Sequence, residues 1–296
     1  MMQLTNKAWR FKRNIAPYIF IAPFFILFSI FMLYPILFSF RISLTKWDGM
    51  GTMKWVGFNN YIKLLSDPIF IQTIKNGIVM FLMYVPLMIL LALIFAVILN
   101  NPSLLFKKVF RSIIFIPNVT SVVAIALVFS LAFDTKYGFI NAMLGAIGIS
   151  PISWVGSAFG SRFMISTLVL WRWVGYNMIL MLSGLQSISE GLYEAAAIDG
   201  AGPIRRFFSI TVPLMRPVIL FCSILSTIGT FGLFTEPLLL TNGGPFYMTT
   251  STVLYIYNES FVHLRMGYAS SIAYVYFILM LIFTFIQFKI SSLSEK

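Results

Sequence analysis

Side chains able to do chemistry are scarce in this chain, and their scarcity excludes whole classes of reaction. There is one histidine and one cysteine. Cys222 lies inside an apolar run and His263 in a polar stretch, so neither a disulfide framework nor a Cys/His metal site can be assembled. No carboxylate pair or Ser/His constellation falls within the apolar runs, which leaves no acid–base or nucleophilic centre there. What stands out instead is two charges embedded in apolar sequence, Arg172 and Glu236. An ionised side chain at mid-bilayer costs from about 2.5 kcal/mol upward, so such residues point to a path for something polar. Beside Arg172, the residues Trp171, Val174, Gly175 and Met178 recur at i, i+3, i+4 and i+7 and share one helical face. A flat indole next to a small residue suits a sugar ring; the same stripe equally suits close helix packing.

The elements that must position these residues are membrane helices. A soluble domain carries roughly 25% charged residues; this chain carries 10%, with 59% hydrophobic residues and a mean hydropathy of +0.91. Its net charge of +12 does not describe a nucleic-acid surface, because the basic residues are spread between long apolar runs. A span needs about 20 mainly apolar residues, and such runs lie near 15–40, 77–100, 113–133, 162–186, 217–241 and 267–288. The first run is too long for a signal-peptide core of roughly 7–15 residues and reads as a retained helix. Six spans put both termini on one side. Lys7, Arg10, Lys12 and Arg13 before span one, Lys107, Lys108 and Arg111 after span two, and Arg205, Arg206 and Arg216 after span four assign that side to the cytoplasm. The chain is thus expected to be an all-α integral membrane protein, residues 1–296 forming one transmembrane domain. The outer segment from Arg41 to Asn76 is expected to be a folded surface loop with turns at Gly49 and Gly51, and a short helix is expected around Ile140 to Ile147. Tyr34 and Trp173 read as interface anchors or packing.

The segment 187–216, between spans four and five, carries the densest local signal. Ser187 with Glu190 fits a capping box, Leu192 to Ile198 is helix-prone, Gly200 ends a helix, and Pro203 suits the first turn of the next. The expected shape is helix, turn, helix. Its first helix is alanine-rich and small enough to enter a cleft on another protein, although a well-capped surface loop would carry the same signals.

Glu194-Ala195-Ala196, Gly200 six positions after the glutamate, Ile210 ten after the glycine, and Pro213 resemble the EAA loop of ABC-importer permease subunits; Val212 stands where leucine is usual. Trp55-Val56-Gly57-Phe58 with Asn60-Tyr61, the run Trp171-Arg172-Trp173-Val174-Gly175-Tyr176-Asn177, and Thr241-Asn242-Gly243-Gly244-Pro245 look like the maltose-type carbohydrate-uptake branch. The resemblance implies a multi-pass subunit of a bacterial-type cell (inner) membrane importer. Its partners would be a second homologous permease subunit, two cytoplasmic ATPase subunits and an extracytoplasmic solute-binding protein, and its cargo a sugar or related small polar solute. This chain would bind no cofactor of its own, and since it has no G-x-x-x-x-G-K-[ST] phosphate loop, ATP would sit on the partner ATPase. ATPase coupling falls to Glu194, Ala195, Ala196 and Gly200. The family's sugar-contacting positions correspond here to Trp171, Val174, Gly175 and Met178 in span four, Asn118 and Val122 in span three, and Thr230 and Leu233 in span five. Other readings stay open for these: packing for the span-four residues, capture of carbonyls freed by Pro117 for Asn118, and a bond to its own helix for Thr230.

Arg172 and Glu236 also keep two readings. They can neutralise one another across spans four and five, although their backbone depths would differ by roughly 7 Å. Alternatively, Arg172 reaches water in the pathway while Glu236 sits near the outer interface. An ion-coupled secondary transporter is the competing class, but such folds usually show internal repeats with broken helices, and no repeat is legible. A permease for a non-sugar solute such as a polyol phosphate is the other alternative.

Overall fold

The computed structural model describes residues 16–293, so the basic cluster at 7–13 lies outside the described residues. The chain divides into two compact units, one running to Leu65 and including Glu259–Tyr274, the other comprising Ser66–Asn258 and the chain from Val275 onward.

In the first unit, α1 (Ala16–Ser43) is interrupted by a π-helical turn at Ser29–Leu33 and leads into an antiparallel hairpin, β1 (Thr45–Lys46) with β2 (Lys54–Trp55). The chain reverses through Gly49 and Gly51, whose φ values of +98° and +67° suit residues without a Cβ. The short helix α2 (Asn59–Leu65) is fastened to the end of α1: Asn60 Nδ2 donates to the carbonyls of Ser43 and Thr45 at 2.8 and 2.9 Å, and Tyr61 OH meets Ser43 Oγ at 2.6 Å. The segment expected as a loop from 41 to 76 is therefore shorter, because helices reach into it from both sides.

In the second unit the helices are α3 (Pro68–Asn100), α4 (Lys107–Val119), α5 (Val122–Ala132), α6 (Phe139–Ala146), α7 (Ala158–Leu185) and α8 (Glu190–Ile198). They are followed by α9 (Pro203–Phe231), α10 (Thr235–Thr241) and α11 (Thr252–Tyr257); the last described helix, α12 (Met266–Leu293), begins in the first unit and belongs to the second from Val275. α7 is the hub and packs against α3, α4, α5, α9 and α10. Helices α3 and α7 are rich in buried methionine, Met80 and Met88 on α3 and Met164, Met178 and Met181 on α7, a choice that fills irregular gaps between helices with a flexible thioether.

Two spans differ from expectation. The run 113–133 is not one helix: α4 and α5 meet at 93°, with Thr120 and Ser121 extended between them. Pro117 already removes a ladder hydrogen bond just before the break. The run 217–241 is also divided. Its helix begins earlier, at Pro203, and ends at Phe231, so Leu233 and Glu236 lie beyond it, Glu236 on α10. Among the described residues five helices are long and apolar enough to cross a membrane, or six if the bent pair is one span.

Candidate functional site

Where α9 stops, the chain turns at Gly232–Phe234 and α10 packs onto α5 and α7. This detour opens a cavity of about 350 Å³, walled by α7 (Val169, Arg172, Trp173, Tyr176, Asn177) and by Tyr84, Val122, Ser226, Gly229, Leu233 and Glu236 from the surrounding elements. Arg172 Nη1 donates to Glu236 Oε1 at 2.9 Å, with the Glu236 side chain only 6% exposed. Of the two open readings, the structure has the paired one. The expected depth gap is overcome because Glu236 leaves the α9 axis and returns on α10. The guanidinium also lies over the Trp173 ring, 5.5 Å from its centroid.

The pair cancels charge but leaves hydrogen-bonding capacity unused. Arg172 Nε and Asn177 Oδ1 are buried without a partner, although Asn177 Nδ2 donates to Trp173 O at 3.1 Å. A buried polar atom without a partner costs about 1–3 kcal/mol, so a cavity bordered by one idle donor and one idle acceptor favours a guest that can both accept and donate.

Of the residues singled out from sequence, Val122 and Leu233 line this cavity together with both charges. The others are placed elsewhere. The face bearing Trp171, Val174, Gly175 and Met178 turns away from it: Gly175 packs so closely on α4 that a Cβ would overlap the Ile114 carbonyl, and Val174 and Met178 are buried in the core. Trp171 is 45% exposed, its ring beside Phe129. Thr230 is fully buried, bonded to Ser226 O and to Tyr84 OH. Asn118 Nδ2 is buried and unpartnered, so it does not capture the carbonyls freed by Pro117. Val169, Trp173, Tyr176, Asn177, Ser226 and Gly229 were missed. The signal for two of them was available, since Val169 and Tyr176 stand at −3 and +4 from Arg172 and share its face. Trp173, expected only as an interface anchor or packing residue, is a wall of this cavity.

The second region of interest is α8 and the turn after it. The capping box does not form: Ser187 Oγ donates to Gly184 O, and α8 starts at Glu190 behind Ser189. The stop signal does act as expected. Ala201 N donates to Ala196 O at 2.8 Å and Gly200 N to Ala197 O at 3.1 Å, the paired bonds of a Schellman turn, with Gly200 at φ +77°. Pro203 then opens α9. Glu194, Ala195 and Gly200 are exposed and Ala196 half-buried. Around them Ile198, Ile204 and Phe208 are 87%, 74% and 65% exposed. α8 is tied to the foot of α9 by Tyr193 OH and Thr211 Oγ1, 3.0 Å apart, at the end of a π-helical turn, Phe207–Thr211.

Residues 88–292 match the family described as the binding-protein-dependent transport system inner membrane component. This chain belongs to that family and is a permease subunit of a bacterial ABC importer. The permease is 43% identical over 280 residues to the lactose transport system permease protein LacF of Rhizobium radiobacter, covering 93% of each chain. It is 34% identical over 289 residues to the trehalose/maltose transport system permease protein MalF of Thermococcus litoralis, covering 97% of each. It is also 33% identical to the arabinooligosaccharides permease protein AraP of Bacillus subtilis, over 97% of this chain and 92% of that one. Its fold is that of a bacterial ABC transporter chain involved in alginate import, with a TM-score of 0.83 at 22% identity, covering 98% of this chain and 100% of that chain. Its long apolar helices and this family make the permease a multi-pass inner-membrane protein.

Proposed function

We propose that the permease carries a neutral sugar or short saccharide through the cavity at Arg172 and Glu236, and that α8 docks on the ATPase that drives it. The cavity lining supports the first part. Its two charges cancel, its walls include Trp173, Tyr176 and Tyr84, and its idle donor and acceptor fit hydroxyl groups, each of which both donates and accepts. An acidic solute would bring an uncompensated charge into this enclosure, which is costly. The relatives that transport lactose, trehalose and maltose, or arabinooligosaccharides favour the same solute class. In this reading Val122 and Leu233 are pathway walls. Trp171, half exposed, faces a second permease subunit, while Asn118, Val174, Gly175, Met178 and Thr230 hold the walls in place.

A Cβ on Gly229 would enter open space, so Gly229→Leu projects a side chain into the cavity with little strain. Uptake of labelled sugar by cells carrying this variant should fall at least tenfold while the amount of assembled transporter is unchanged. Undiminished uptake would remove the cavity from the pathway.

Six spans, both termini in the cytoplasm and segment 187–216 on the cytoplasmic face complete the proposed topology. The assembly would be the family's: this chain, a second permease, two ATPase subunits and an external solute-binding protein. Ile198, outside the long apolar helices and 87% exposed on the same short helix as Glu194, supports docking, because an apolar group there calls for a protein cover. Glu194→Lys and Gly200→Val should leave the permease inserted but lose the ATPase on co-purification or uncouple hydrolysis from uptake. Wild-type association together with wild-type uptake in both would refute docking at α8.

A further inference from the structure

The first unit holds a second recess, of about 640 Å³, bounded by the hairpin, α2 and the start of α12. It is strongly basic: Lys46, Lys54, Lys63 and Arg265 line it against a single acid, Asp48. Two of these cations are already engaged, Arg265 by Glu259 at 2.9 Å and Lys63 over the Tyr268 ring at 4.9 Å. Lys46 and Lys54 are exposed and stand directly opposite one another in the β-ladder. Neither makes an ion pair among the described residues. Like charges directly across a strand pair are destabilising, so the hairpin carries a repulsion that an anion between the two ammonium groups would relieve. A further donor is idle here, the indole N–H of Trp47, which is buried without a partner.

Backbone bonds and a close approach fasten the frame around the recess. Val56 N donates to Leu44 O at 2.9 Å and Gly267 N to Trp47 O at 3.2 Å, and Gly267 sits so close to the Thr45 carbonyl that no Cβ would fit. Its position names the anion. The apolar helix α1 ends at Ser43 and α12 begins at Met266, so the recess stands at the ends of two helices long and apolar enough to cross a membrane, where headgroups are the nearest lipid atoms. Trp55 and Phe58 are 66% and 65% exposed on the same segment, and exposed aromatic rings at this depth act as interface anchors.

We propose that this recess binds the phosphate-bearing headgroup of an anionic phospholipid, held between Lys46 and Lys54 with the Trp47 indole N–H as a further donor. An acidic protein surface could match the charge, but the recess lies at the ends of two apolar helices and beside exposed aromatic rings, which favours a lipid.

The test uses the full-length chain in nanodiscs of phosphatidylcholine with or without phosphatidylglycerol, with retained lipid counted by native mass spectrometry. Phosphatidylglycerol should be retained over phosphatidylcholine, and Lys46→Gln with Lys54→Gln should weaken that retention by about fivefold per lysine. Lys46→Glu separates binding from folding. It turns the repulsive cross-strand pair into an attractive one, so the melting temperature in pure phosphatidylcholine should hold or rise while phosphatidylglycerol retention falls. Equal retention by the parent and all variants would overturn the proposal. So would protection by inorganic phosphate alone equal to that of the lipid, which would make the site one for free phosphate. The lipid assignment would also fail if the substitutions weakened binding of the external solute-binding protein and left lipid retention unchanged.

Discussion

Glu236→Gln is expected to lower the folded yield of the permease sharply, by about 3 kcal/mol of stability, because it strands the Arg172 guanidinium in a largely apolar enclosure. Breaking a buried ion pair by removing one partner costs about 3–5 kcal/mol. The lower end applies here, since the Arg172 side chain is 19% exposed to the cavity and keeps some access to water. Arg172→Gln should cost a similar amount by leaving Glu236 uncompensated. The exchange Arg172→Glu with Glu236→Arg should recover part of the loss, because the 2.9 Å contact can be rebuilt with its polarity reversed. Fluorescence-detected size-exclusion yield and melting in detergent read these effects directly. Strictly additive losses in the double variant would mean that the two side chains do not act as a pair. Uptake measured on the surviving protein adds a second reading. If the pair keeps the cavity neutral, the reversed pair should still favour uncharged solutes.

Gly175→Val should be comparably damaging for a different reason. The atoms that a Cβ would strike belong to backbone, the Ile114 carbonyl and the Phe115 Cα, and backbone cannot swing aside as a side chain can. α4 and α7 would have to separate along their contact, placing the cost near the upper end of the usual 1–3 kcal/mol for overpacking. Gly229→Ala serves as the control, since its Cβ meets nothing within 4 Å and alanine is the better helix former by about 1 kcal/mol. The expected result is a large drop in melting temperature for Gly175→Val and none for Gly229→Ala. Equal melting temperatures would show that α4 yields easily and that the close approach is not structurally required.

The contrast between these glycines shows what sequence reading could and could not supply. Both are small residues in apolar helices, and nothing in their neighbours along the chain separates the one that admits another backbone from the one that leaves a cavity open. The turn at Gly200 was legible because its cause is local: helix-formers, a glycine at the left-handed position and a proline three residues later determine a stop and a restart whatever surrounds them. The membrane character and the approximate spans were legible for a similar reason, since the length and apolarity of a run can be read along the chain.

The breaks at Thr120–Ser121 and at Gly232–Phe234 were not legible. Both runs stay apolar enough overall to be taken as single spans; Pro117 weakens the helix before the first break, but the second occurs where α10 has a place to pack on α5 and α7. The cavity-lining face of α7 was hidden for a related reason. In water an amphipathic pattern marks the buried side, but lipid and protein interior are both apolar, so the sides facing lipid, core and cavity carry similar residues. The choice between the Trp171 stripe and the Arg172 stripe is one residue step of about 100° around the helix. The sequence by itself therefore determined a basic, multi-span membrane chain with one locally encoded turn and two charges too costly to be accidental. Only the tertiary structure decided that those charges meet, because their meeting depends on where α9 stops, and that is determined by packing between helices distant in sequence.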